Sequence, residues 1–220
     1  MSASIDPSIV VLATRNAGKI KEMTAIFSDT GIQFKTADEF GCPEVVEDGE
    51  TLEDNARKKA YEVALATQHI AMADDSGLEV AFLDGAPGVI SARFAGAKCT
   101  YEDNNNKLLK LLKGVPEPHR RARFRSVIAL AVPGGATQTV EGHLDGFITD
   151  RLRGSDGFGY DPVFLVPDYG QTLAEMGSAM KNKISHRYKA LEAMRPILLN
   201  LQRSIQNHLK QEKRPPFEII

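Results

Sequence analysis

Residues 121–132 and 137–149 read as two long strands joined by Pro133-Gly134-Gly135, a hairpin signal. This antiparallel pair constrains the fold more than any other stretch, because the chain around it alternates strand and helix. Residues 9–14 read as a buried strand and 17–30 as a helix with Ile20, Met23 and Phe27 on one stripe. Residues 32–37 predict a second strand, and Pro43 to Glu50 an acidic, turn-rich loop. Thr51 to Thr67 is the clearest early helix. Residues 69–74 predict a short strand ending in Asp74-Asp75-Ser76-Gly77, followed by a Gly/Pro-rich loop at 84–96 and a helix at 101–113. Gly154 to Gly159 is a glycine-rich loop, 160–166 another strand, and 185–209 a long helix that Pro196 should kink or split. Alternating strands and helices with a central hairpin give an α/β fold with a mixed sheet. Residues 1–209 are expected to form one domain, with 210–220 a loosely held tail.

Composition narrows the function. The 220-residue chain carries a net charge of −2, so no overall field draws it to nucleic acid or to an anionic membrane. Its two cysteines, Cys42 and Cys99, make neither a disulfide framework nor a metal cluster. No apolar run reaches membrane-span length and no secretory leader opens the sequence. A soluble protein in a reducing, cytoplasmic setting is expected.

The stretch Thr14-Arg15-Asn16-Ala17-Gly18-Lys19 follows the apolar run Ile9 to Ala13 and opens a helix. It is not a Walker A loop, which has Gly where Ala13 stands and Ser or Thr where Ile20 stands. A helix start still favours anions through its unpaired N–H groups and dipole. Lys19 opposes that dipole unless an anion meets it; an ordinary turn with a solvated lysine is the plain alternative.

On the helix at 51–67, Leu52, Ala56, Ala60 and Val63 share a face, with Lys59 along its edge and Asn55 one turn earlier. A lysine there either snorkels to the edge or aims a charge into a cleft. Strand alternation sends Asp74 and Asp75 to opposite sides, one toward a cleft and one toward the structure. Glu47-Asp48-Gly49-Glu50 forms a second acidic cluster. Two separated carboxylates without Cys/His partners suit Mg²⁺ rather than zinc.

Ser185 reads as the N-cap of the C-terminal helix, with His186 and Arg187 in the first turn against the dipole and Lys181 just upstream. Together with Lys19 this pattern suggests helix starts arranged around a polyanion. In the glycine-rich loop, Phe158 and Tyr160 offer flat faces for a nucleobase. Arg121, Arg123 and Arg125 alternate along a strand, which favours a solvated face over a nucleic-acid patch.

TRNAGK (14–19), EDGETLEDNA (47–56) with Lys59, ADDSGLEV (73–80), GAPGVISARF (85–94), GFGYDPVF (157–164) and KNKISHR (181–187) occur in this order. In these segments the chain resembles the inosine triphosphate pyrophosphatases, which act on non-standard purine nucleoside triphosphates. The resemblance implies two lobes around a long mixed β-sheet flanked by helices, with the active site in the cleft between them. It implies a homodimer and Mg²⁺-dependent hydrolysis of ITP, dITP and XTP to the monophosphate and pyrophosphate.

By matching position, the resemblance implies that Thr14, Arg15, Asn16, Ala17, Gly18 and Lys19 hold the triphosphate, with Lys59 and Ser76 on the phosphates. Glu47 and Asp75 would hold the metal, with Asp75 the general base. Phe158, Gly159, Tyr160, Asp161, Lys181, His186 and Arg187 would surround the nucleoside. Lys183 stands where many members of the family it resembles carry a small residue, which could adjust the base pocket. Two other readings stay open: a pyrophosphatase of similar architecture acting on pyrimidine or ordinary nucleotides, and a nucleotide sensor or nucleic-acid module using Arg120 to Arg125.

Overall fold

A computed structural model describes residues 5–212. The elements run in the order β1 (Ile9–Leu12), α1 (Ala17–Ile26), β2 (Gln33–Thr36), α2 (Leu52–Thr67), β3 (Ile70–Val80), β4 (Pro87–Gly88), α3 (Tyr101–Leu111), β5 (Arg121–Ala131), β6 (Thr137–Ile148), β7 (Phe164–Val166), β8 (Gln171–Thr172), α4 (Leu173–Ile184) and α5 (His186–Glu212). The strands form one mixed sheet in the order β2-β1-β3-β5-β6-β7-β8, with β4 paired to β3. β1 is parallel to β2 and β3, and the remaining pairs are antiparallel. The expected mixed sheet flanked by helices is present.

Side-chain alternation along β3 explains the layers. Ala71 and Ala73 face α2, where Ala56, Ala60, Val63 and Ala64 pack on the sheet. Small residues on both sides let helix and sheet approach closely. Ile70 and Met72 face the other way, into a cluster with Met23 of α1, Phe27 at its C-terminal end, and Leu191, Met194 and Leu198 of α5. A third cluster, with Leu78, Phe124, Leu144 and Phe164, fills the far end of the long strands under α3 and α4. The start of α5 lies directly on β6, because a Cβ at Gly142 would meet the His186 carbonyl oxygen at 2.3 Å.

Several elements differ from expectation. The strand expected at 69–74 runs on to Val80, because β5 pairs with it from Ala71↔Ala131 to Val80↔Ala122. Asp74-Asp75-Ser76-Gly77 is therefore strand interior, not a turn. β1 ends at Leu12, so beyond Met72 the β1 side of β3 is uncovered until β4 pairs at Leu78. The stretch Tyr160–Val166 is only partly strand: Asp161–Val163 is a 3-10 turn around Pro162, and β7 begins at Phe164. α1 stops at Ile26 rather than at residue 30. α4 was not anticipated; Gly177, at φ 73°, interrupts it and hides its period. α5 continues through Pro196 as one helix and on to Glu212, into the expected tail. Residues 213–220 of that tail lie outside the described residues.

Candidate active site

The uncovered part of β3 opens into a cavity of about 280 Å³. Its wall includes Thr14, Arg15, Asn16, Lys19, Glu47, Lys59, Asp75, Ser76, Phe158, Gly159, Tyr160, Asp161, His186 and Arg187. These come from six separate stretches of sequence, so the fold brings together most of the residues singled out above. Ala17, Gly18 and Lys181 do not line it.

The first βα turn supplies one wall. Asn16 caps α1, its Oδ1 accepting from the Lys19 amide at 3.2 Å. Lys19 turns inward and meets Asp74 Oδ2 at 3.0 Å, which answers its opposition to the helix dipole. Burial pulls its pKa down against the attraction of Asp74. Arg15 lines the cavity but is tied to the segment after β2: its Nε donates to Asp38 at 2.8 Å and its Nη2 to the Cys42 carbonyl at 3.0 Å. Gly18 does not cradle a ligand in this arrangement; a Cβ there would strike the Phe158 ring at 2.5 Å, so it gives Phe158 room.

The two neighbouring aspartates divide as alternation requires. Asp74 points to the α1/α5 side and is fully buried. Its Oδ1 accepts from Ser76 and Ser126 hydroxyls at 2.6 Å each, and its Oδ2 from Arg187 Nε at 2.9 Å. Burial pushes its pKa up, but Arg187 and Lys19 outweigh that and hold the carboxyl well below the usual range. Arg187 also pairs with Glu22, as does Lys181. Two carboxylates thus offset the adverse first-turn position of Arg187. Ser185 caps α5 as expected, its Oγ accepting from the Tyr188 amide at 3.1 Å.

Asp75 points to the α2 side. Its Oδ1 accepts from Lys59 Nζ at 3.0 Å, and the same ammonium lies 2.7 Å from Glu47 Oε1. Lys59 therefore does not snorkel outward; it bridges the two carboxylates expected to hold a metal. Asp75 Oδ2 is buried with no hydrogen-bond partner. Burial raises the Asp75 pKa and Lys59 only partly offsets it. Glu47 goes the other way, since Lys59 overcomes its desolvation. Asn55 does not enter the cavity; its amide accepts from the Gly49 N–H at 2.8 Å and holds the acidic loop.

Among the described residues no group of three or more His, Cys, Asp or Glu side chains could hold a metal. The available donors are the orphan Asp75 Oδ2 and Glu47 Oε2, which lies 3.9 Å from Arg93 Nη1. An all-oxygen pair with unspent acceptor capacity suits a hard cation that takes one or two carboxylates.

The nucleoside end of the expectation lies opposite. Phe158 is half-buried, with Lys181 Nζ 4.5 Å and Arg187 Cζ 5.5 Å from its ring centroid. Asp161 Oδ2 accepts from the Phe158 amide at 2.9 Å and from Lys181 Nζ at 2.5 Å, which fixes the loop. Lys181 thus acts from behind the wall. Tyr160 is no free stacking face: it is buried and its hydroxyl donates to the Ser91 carbonyl at 2.9 Å. His186 stacks on Phe124 at 4.5 Å, and burial, reinforced by Arg187, holds its pKa well below the usual value. Lys183 is exposed and outside the cavity wall, so it does not shape a base pocket. Arg123 pairs with Asp145, and Arg125 with Glu79 and Glu141, a solvated ion-paired face rather than a nucleic-acid patch.

Sequence reasoning missed Glu22, Ser126 and Tyr101. Glu22 had a signal, lying one helical turn after Lys19. Ser126 is specified only by its register opposite Ser76.

A model of the Ham1 family matches residues 10–197. The dITP/XTP pyrophosphatase of Desulforamulus reducens is 54% identical over 193 residues, covering 87% of this chain and 96% of its own. That of Bacillus subtilis is 46% identical over 189 residues, covering 86% and 96%. Among solved structures, a HAM1 protein from Coxiella burnetii superposes with a TM-score of 0.80 at 40% identity, over 87% of this chain and 98% of its own. The Ham1 protein of Staphylococcus aureus gives 0.78 at 38% identity, over 87% and 98%. With the family match spanning nearly the whole described fold and every wall of the cavity, the chain belongs to the Ham1 family.

Proposed function

We propose that this chain is a nucleoside triphosphate pyrophosphatase that hydrolyses dITP, XTP and ITP to the monophosphate and pyrophosphate with Mg²⁺. One observation carries the reading: Lys59 bridges Glu47 and Asp75 at 2.7 and 3.0 Å while Asp75, which lines the cavity, keeps a buried oxygen without a partner. The names of the relatives, dITP/XTP pyrophosphatase, support the substrate class.

Release of pyrophosphate requires water to attack the α-phosphorus. Glu47 and Asp75 are the residues to hold Mg²⁺, which supplies charge neutralisation on the phosphate oxygens. Lys19 and Lys59 both donate to the Asp74 carbonyl oxygen, at 3.2 and 3.0 Å, and their neighbouring ammonium groups stabilise charge developing on the phosphates. Asp75, whose pKa burial raises, is a stronger base than an ordinary carboxylate and takes or orients the water proton. Phe158 offers a face to the base. The Thr14–Lys19 turn sits where the phosphates would lie. A 6-oxo purine is accepted and adenine rejected because donors meant for that oxygen are left unpaired by a 6-amino group.

The same reading carries one domain over 1–209, a homodimer and a cytoplasmic setting. Among the described residues no helix is long and apolar enough to cross a membrane. Pyrophosphate release from dITP, XTP, ITP, ATP, GTP and dTTP, each with and without Mg²⁺, tests the function. Mg²⁺-dependent release from the first three, with little from the others, is expected. Release mainly from dTTP or GTP keeps the chemistry and moves the substrate; release from none overturns the reading.

A further inference from the structure

Tyr101 is the first residue of α3 and stands at the cavity mouth, 46% exposed. Its hydroxyl accepts from Asn16 Nδ2 at 3.0 Å, and its ring centroid lies 6.1 Å from that of Phe158 at an interplanar angle of 42°. It therefore spans the turn assigned to the phosphates and the aromatic ring assigned to the base. Exposure alone means little, since Tyr61 and Tyr169 are comparably exposed; position on the cavity wall sets Tyr101 apart.

Its placement is built into the fold. Thr100 and Asp103 form a capping box at the α3 start, fixing the first turn. Asn104 accepts from the Ala95 amide at 2.7 Å and donates to the Ala92 carbonyl at 3.1 Å. Asn105 donates to the Gly159 carbonyl at 2.9 Å, tying α3 to the loop that carries Phe158. Two buried asparagines thus lock the helix whose first side chain overhangs the cavity. A rigidly held, half-exposed aromatic facing another ring is poorly used unless a flat or apolar group joins it.

We propose that Tyr101 is a nucleoside-contacting residue, its ring standing beside that of Phe158 and extending the aromatic surface offered to the sugar and base. The inference rests on the proposed function and adds a second aromatic wall to the nucleoside site. The Asn16 contact occupies the hydroxyl, and the capped start of α3 places the ring, so the ring and not the hydroxyl supplies the binding.

The test is equilibrium binding by calorimetry without Mg²⁺, using wild type, Tyr101→Phe and Tyr101→Ala, with dITP and with inorganic tripolyphosphate. Tyr101→Ala should weaken dITP about tenfold, within the range found for base–aromatic stacking. Tyr101→Phe should stay within about twofold of wild type, and tripolyphosphate should bind all three alike. Equal dITP affinity in wild type and Tyr101→Ala overturns the proposal. So does a parallel loss for tripolyphosphate, which would make Tyr101 a prop for Asn16, or a loss in Tyr101→Phe as large as in Tyr101→Ala. Wild-type protein that binds dITP yet releases no pyrophosphate with Mg²⁺ overturns the functional reading instead, and the binding series still decides Tyr101.

Discussion

Lys59 Nζ lies 3.0 Å from Asp75 Oδ1, and the other oxygen of that carboxylate has no partner. A buried acid held by one cation on one side is poised for chemistry on the other. Asp75→Asn should therefore lower kcat by about 10²- to 10⁴-fold, the usual worth of a general base. The amide is isosteric and Lys59 keeps Glu47, so the melting temperature should move by only a few degrees. Pyrophosphate-release kinetics beside a thermal melt check both halves; a kcat within about threefold of wild type rejects the role.

Asp74, one residue away, predicts the opposite pattern. Fully buried itself, it meets Ser76, Ser126, Arg187 and Lys19. Asp74→Ala leaves the buried Arg187 and the partly buried Lys19 short of a counter-charge, which costs about 3–5 kcal/mol. For a chain of this size the melting temperature should fall by roughly 10 °C. Calorimetry showing a loss no larger than that of Asp75→Asn would mean the network is not structural.

His186 predicts a pH dependence of stability. It is buried against Phe124 with its folded pKa well below the usual value, so the unfolded chain binds a proton that the folded chain does not. Stability should therefore fall as pH drops below about 6.5, with a slope approaching 1.4 kcal/mol per pH unit. Asp74 and Glu22, whose folded pKa values lie below the usual range, contribute stability that is lost only at lower pH, below about 4. Urea titrations of His186→Phe between pH 7 and about 5 should lose most of this slope. An unchanged slope would locate the proton elsewhere.

Arg15 ties the segment that leads into the acidic loop to the first βα turn through Asp38 and the Cys42 carbonyl, and reaches Glu44 of the loop at 3.8 Å. Its side chain is 40% exposed, so the pair is worth about 1 kcal/mol or less. Arg15→Ala should barely change the melting temperature but should speed amide exchange across residues 42–50 and raise KM severalfold. A raised KM with unchanged exchange would instead make Arg15 a direct phosphate contact.

Much of this arrangement could be read from the chain. The period of residues 51–67 put Lys59 on the packed edge, and it is buried there. Alternation predicted that Asp74 and Asp75 would separate, and they do. The continuation of β3 was hidden because two adjacent carboxylates look like a strand end, and only pairing with β5 and buried cations make them tolerable inside one. Glu22 carried only the faint signal of its place one turn after Lys19, because its partners, Lys181 and Arg187, come from the other end of the chain. Tyr160 looked like a stacking face because nothing local reveals that its hydroxyl reaches Ser91.

The most direct test of the central claim, water attack at the α-phosphorus in this cavity, is hydrolysis of dITP in ¹⁸O-labelled water with mass analysis of both products. The account predicts the label in the nucleoside monophosphate and none in pyrophosphate. Label in pyrophosphate, or release of labelled orthophosphate, would contradict it.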